Sequence, residues 1–113
     1  MEIGKKIVDG VGEIFLEGRL DAYSSNQVEK TINSLIDEGL VKILINFKDT
    51  DYISSSGLRV MLASLKKLKK MDGNIKLVCL KPHVLEVFEI AGFTQIFDIY
   101  EVKEEALNSF NSS

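Results

Sequence analysis

The amino-acid sequence predicts an α/β fold: a mixed β-sheet packed by helices, with elements in the order ββαβαβαβα. Three observations carry this. Apolar and polar residues alternate near the N-terminus, as in strands of a sheet with one covered face. Short, largely β-branched runs then recur, "LVKILINF" and "NIKLVCL". Between them lie stretches with apolar residues three and four apart, so helices join the later strands, which must therefore run parallel.

The elements follow in order. "KKIVDGVGEIFLEGRL" reads as two strands around a hairpin turn at Asp9-Gly10. Ile14 and Leu16 alternate with Glu13, Phe15 and Glu17, which suits a single well-buried face. "DAYSSNQVEKTINSLIDEG" changes to helical spacing, with Val28, Ile32, Leu35 and Ile36 on one side. Ser24 with Gln27 fits a capping box and Gly39 a C-terminal stop. "LVKILINF" reads as a buried parallel strand. After a serine triplet, Leu58, Met61, Leu62, Leu65, Leu68 and Met71 form an apolar stripe, with Lys66, Lys67, Lys69 and Lys70 largely off it. Asp72-Gly73 ends that helix, and "NIKLVCL" is the next buried strand. Pro82 suits a first helical turn, followed by an apolar face of Val84, Leu85, Phe88 and Ala91 and a stop at Gly92. "QIFDIY" is a last short strand, "KEEALNSF" a final helix and "NSS" a frayed tail.

At 113 residues, 45% hydrophobic and 27% charged, the chain is expected to form one domain, 1–113, with a real core. A net charge of -3 argues against a nucleic-acid partner, whose binders usually carry a basic face. The single cysteine, Cys79, has no internal disulfide partner; it reads as a small core residue and fits a reducing compartment, so a cytoplasmic location is expected. "MEIGKKIVDG" lacks the apolar core of a signal peptide, and no apolar run approaches the roughly 18 residues of a membrane span, so no direct membrane insertion is expected.

The stretch that invites a chemical reading is "DTDYISSSGLRVML", Asp49 to Leu62, where three serines open a helix. One hydroxyl suffices to cap a helix, so three exceed that need. A serine nucleophile requires a base, and the only histidine, His83, lies beside Pro82 at another helix start with no G-x-S-x-G elbow. His83 therefore reads as a surface or packed residue, and no catalytic residues are expected. The turn lacks the lysine and first glycine of a P-loop. Asp49 and Asp51 follow a strand as in a receiver domain, but no acidic pair follows the first strand and the opening hairpin breaks strict βα alternation. No metal-ligating constellation is present in the sequence. Covalent modification remains. A serine at a helix N-terminus is accessible, and the helix dipole favours an added phosphate.

The chain resembles the STAS domain family, most closely its stand-alone bacterial anti-sigma-factor antagonists. The resemblance runs from about residue 7 to residue 105. It is carried by "GRLD" (Gly18, Leu20, Asp21), by "YISSSGL", and by Gly92, Phe93, Ile96 and Phe97. Ser54 stands where the family most often has aspartate, and Asn46 where the strand often ends in aspartate. The resemblance implies that the hydroxyl before Gly57, Ser56, is the phosphorylation site, with Ser55 as a rival acceptor. It implies an anti-sigma factor that is also an ATP-dependent serine kinase as partner, bound only by the unmodified protein, and a metal-dependent serine phosphatase that restores it. The chain itself then needs no cofactor, ATP being supplied through the kinase.

The partner is expected over the start of the Gly57 helix and the "GRLDAYSS" loop, on Asp21, Tyr23, Ser24, Ser54, Ser55, Ser56, Gly57, Leu58 and Arg59. Gly57 is expected to leave room for the kinase. Asp21, Asp49 and Asp51 are expected to gather near the serines and make a phosphorylated site strongly acidic. Two alternatives stand beside this reading. One is a non-switching STAS subunit, a stressosome-like scaffold or a lipid-transport accessory. The other is a small phosphate- or nucleotide-binding domain using the same turn.

Overall fold

The computed structural model describes residues 1–111. The elements run ββαββαβαβα: β1 (Glu2–Val8), β2 (Val11–Leu20), α1 (Ala22–Asp37), β3 (Lys42–Asn46), β4 (Thr50–Ile53), α2 (Ser55–Lys69), β5 (Asn74–Val78), α3 (Pro82–Ile90), β6 (Asp98–Tyr100) and α4 (Lys103–Asn111). The expected order holds with one strand more, β4. That strand is four residues long and its alternation is too short to register as a period. Residues 112–113, the end of the expected frayed tail, lie outside the described residues.

The sheet order is β1-β2-β3-β5-β6, with β4 also pairing β2. Among the described residues only β1 and β2 pair antiparallel, joined by a two-residue turn in which Asp9 and Gly10 both have positive φ. β2 is long enough to take two parallel partners. Its first half pairs β3, and its last residues pair β4 from Gly18↔Thr50 to Leu20↔Ile53. The register shifts at Gly18, whose φ of +110° is open to glycine and strained for other residues. The shift leaves Asp51 as the extra residue on β4, and beyond Phe15 the end of β2 runs against β4 instead of β3.

Helices α1, α2 and α3 cover one face. Ile14, Leu16, Ile43, Ile45, Ile75 and Leu77 pack there against Val28, Ile32, Met61, Leu68, Val84 and Phe88. Phe88 meets Phe47, Phe93 and Phe97 edge to face, which closes the core around α3. The opposite face is covered by α4, through Ala106 against Val11, Leu44 and Val78.

Several expected local roles change. Glu13 was expected on an open face but is fully buried beneath α4, with Lys103 Nζ at 2.9 Å and Asn46 Nδ2 at 3.2 Å. The Glu13 carboxylate raises the Lys103 pKa by hydrogen bonding to the ammonium. Met71 is 43% exposed because α2 ends at Lys69, before the stripe reaches it; Leu62 is half-buried, and Ala91 is exposed beyond the end of α3. Cys79 is only half-buried, lies just past β5 and has a φ of +62°. Burial pushes its thiol pKa up. Within "QIFDIY", Gln95 belongs to a short 3₁₀ turn and only Asp98–Tyr100 is strand.

Candidate functional site

α1 starts where β2 ends, and α2 starts where β4 ends. Since Leu20 pairs with Ile53, both helix N-termini emerge side by side from one end of the sheet. The Ser54 N–H donates to the Leu20 carbonyl at 2.8 Å and ties the two starts together.

The start of α1 is closed. Its N-cap is Asp21, and Ser24 is the third helical residue, so the capping box lies three residues upstream of the expected Ser24–Gln27 pair. Asp21 Oδ1 accepts from the Ser24 N–H at 3.0 Å. Ser24 Oγ accepts from the Asp21 N–H at 2.9 Å and donates to the Arg19 carbonyl at 2.7 Å. Ser25 Oγ donates to the Asp21 carbonyl at 2.6 Å. The hydrogen bond from the Ser24 backbone, above all, lowers the pKa of Asp21. Ser24 and Ser25 are each 2% exposed.

The start of α2 is open. Ser54 is its N-cap, accepting from the Gly57 N–H at 3.2 Å. Among the described residues, the hydroxyls of Ser55 and Ser56 have no hydrogen-bond partner. Ser55 is exposed and Ser56 half-buried. Ser56 and Arg59 line a groove of about 230 Å³ between α1 and α2, whose other wall includes Asn26 and Glu29. Ala22, Ser25 and Ala63 also line it, and such small side chains let the helices lie close. Asn26 and Glu29 join the site without a motif of their own in the sequence. Their only sequence signal was the recurrence of Ala22, Ser25, Asn26 and Glu29 three and four apart on one side of α1.

Two residues expected on the binding surface are buried. Ser24 is held in its cap. Gly57 faces inward, where a Cβ would lie 2.8 Å from Ile53 Cγ1 and Leu20 Cγ. The missing side chain at 57 therefore lets α2 seat on β2 and β4; it opens no space for a visiting protein. Asp21 is half-buried, Leu58 is half-buried against the core, and Arg59 and Tyr23 are exposed, Tyr23 by 77%.

The expected acidic cluster is also dispersed. Asp49 precedes β4, at the opposite end from the serines, and lines a separate cleft with Glu2, Glu17 and Lys48. Asp51 is ion-paired with Lys81, whose hydrogen bond is the main cause of a lowered Asp51 pKa. His83 Nε2 lies 2.6 Å from the Asp51 carbonyl, which places a proton on Nε2 and occupies the ring at the β4–α3 junction. Arg19 stacks on Tyr52 at 4.1 Å and adds a positive charge between Asp21 and Asp51. Glu29, across the groove, is the carboxylate that shares it with Ser56.

No helix of the described residues is long and apolar enough to cross a membrane. The STAS domain family model matches residues 2–106. The chain is 35% identical over 113 residues to BtrV of Bordetella bronchiseptica, a protein assigned as an anti-sigma factor antagonist; the match covers 100% of this chain and 97% of that one. It is 31% identical over 87 residues to the anti-sigma-B factor antagonist of Bacillus subtilis, covering 77% and 79%. The fold matches the Bacillus anti-sigma factor antagonist SpoIIAA in two solved states. The unphosphorylated form gives a TM-score of 0.79 at 23% identity, covering 99% and 100% of the two chains. The phosphorylated form gives 0.75 at 24%, covering 96% and 98%. The chain belongs to the STAS domain family.

Proposed function

We propose that the chain is an anti-sigma-factor antagonist that binds its anti-sigma factor through the open start of α2 and is switched by phosphorylation of Ser56. The observation that carries the reading is the contrast between neighbouring hydroxyls. Those of Ser24, Ser25 and Ser54 are engaged within the fold, whereas those of Ser55 and Ser56 are not. Free hydroxyls at a helix start accept phosphate without breaking a cap, and the macrodipole favours the added charge by about 0.3–1 kcal/mol.

In this reading the partner is an anti-sigma factor with serine kinase activity, and a metal-dependent serine phosphatase resets the switch. The chain works in the cytoplasm and supplies no catalytic group. The docking surface combines Tyr23, Asp21, Ser54, Ser55, Ser56, Leu58 and Arg59. Tyrosine and arginine are enriched in such surfaces, and Arg59 suits a carboxylate on the partner. Phosphate brings roughly -1.5 to -2 charges. A partner fitted to a bare hydroxyl meets both bulk and charge.

The test is incubation with the cognate kinase and ATP, followed by mapping of the phosphate by mass spectrometry. Phosphate on Ser56 is expected. Phosphate on Ser55 or Ser54 moves the site, and none on any of the three ends the switch reading.

A further inference from the structure

We infer that Arg59 is the intramolecular receiver of a phosphate on Ser56, so that modification withdraws from the partner the guanidinium that binds it. The inference rests on the reading that Ser56 is the modified residue, and it assigns how the modification acts.

Three observations lead to it. Ser56 and Arg59 are three residues apart on α2, a spacing that puts Cβ atoms about 5–6 Å apart on one side of a helix. Both line the same groove between α1 and α2. Among the described residues the Arg59 guanidinium has no hydrogen bond or ion pair. Other cations near this end of the sheet are already engaged: Lys81 with Asp51, and Arg19 over Tyr52. Arg59 is therefore an uncommitted cation within reach of the phosphate.

The chemistry fits. A guanidinium presents paired N–H donors that match two phosphate oxygens, and such charge-assisted pairs are roughly twice as strong as neutral hydrogen bonds. Asn26, on the facing wall, likewise has no side-chain hydrogen bond and adds an amide donor. Glu29 shares the groove and opposes a second anion there. Arg59 is what makes the groove tolerant of phosphate despite that carboxylate. In the unmodified protein Arg59 faces solvent and is available to a partner carboxylate; in the modified protein it closes over its own helix. One side chain thus serves both states, and binding is lost by removal of a contact as well as by added charge.

The test uses the full chain with phosphoserine installed at position 56 during synthesis, so that it does not depend on any kinase. The second phosphate ionisation is followed by ³¹P NMR in the parent, in Arg59→Gln and in Arg59→Lys. An ordinary phosphoserine has a second pKa near 6. Pairing lowers it, and at an exposed site the effect is modest. The parent should therefore titrate about 0.5–1 unit below Arg59→Gln, with Arg59→Lys between them. Thermal midpoints of the unmodified variants check that the fold is intact. Coincident titration curves for the parent and Arg59→Gln overturn the inference, even if a kinase is later found to modify Ser56. Failure of any kinase to modify Ser56 overturns the switch reading, while the titration still decides whether Arg59 receives the phosphate.

Discussion

The two helices at the site start from paired strands, side by side, and both open with serines; yet one start is sealed and the other is not. At α1 an aspartate and a serine satisfy each other's backbone N–H groups, and the next serine bonds back to the cap carbonyl. At α2 a serine caps alone, and the two hydroxyls that follow it remain without partners among the described residues. A serine cluster marks a site by what its hydroxyls fail to do. Engaged hydroxyls hold a helix; unengaged ones at the same kind of position are free to be modified.

The largest expected effect breaks the symmetry between the two starts. Ser56→Asp should fold normally but bind the anti-sigma factor about a hundredfold more weakly, a loss of ~2.7 kcal/mol, measured by calorimetric titration. Ser56→Ala should bind and resist modification. If Ser56→Asp binds like the parent, the open start is not the docking surface.

A smaller effect lies in stability. Ser24→Ala removes a buried hydroxyl that both accepts from Asp21 and donates to Arg19, so it should cost about 1–2 kcal/mol in denaturant unfolding. Ser56→Ala should stay within about 0.5 kcal/mol of the parent. Equal costs at the two positions would erase the distinction between the sealed and open starts.

A subtler effect concerns the charge at the sealed start. The Asp21 carboxylate has a pKa lowered by its Ser24 hydrogen bonds. A lowered folded-state pKa gives stability that is present above the unfolded value, near pH 4, and lost as pH falls through the folded value. Asp21→Asn keeps a good cap but cannot ionise, so its stability should fall less steeply below about pH 4 in acid titrations followed by circular dichroism. An unchanged acid limb would show that the carboxylate's charge contributes nothing to this cap.

Much of the fold was legible in the chain. The spacing of Val28, Ile32, Leu35 and Ile36 marks the buried side of α1, all four being 5% exposed or less. Asp9-Gly10 marks the hairpin and Pro82 the first turn of α3. Less was legible where a residue's role depends on a distant segment. Glu13 sits in a period-two pattern that reads as solvent-facing, and only the return of α4 across the sheet buries it. β4 is too short to show a period, and it is defined by pairing with β2. The burial of Gly57 follows from the approach of Leu20, far away in the chain. Asp49 and Asp51 are near neighbours in sequence, yet they serve different surfaces because β4 carries one towards Lys81 and leaves the other at its far end.

The fold class, the family motifs and the helix start where the serines stand were set by short-range signals in the chain. Hydrophobic periodicity, turn residues and caps act over a few neighbouring positions and leave their mark directly in the chain. The hydroxyls of Ser24, Ser25 and Ser54 are likewise held by partners three to five residues away. The tertiary structure decided that α1 walls the groove beside Ser56 and Arg59, and that Asp49 and Asp51 lie away from the serines. Those outcomes depend on the pairing of the ends of β2 and β4, which sets α1 beside α2. Such contacts are fixed by packing between segments far apart in the chain, and no local pattern records them.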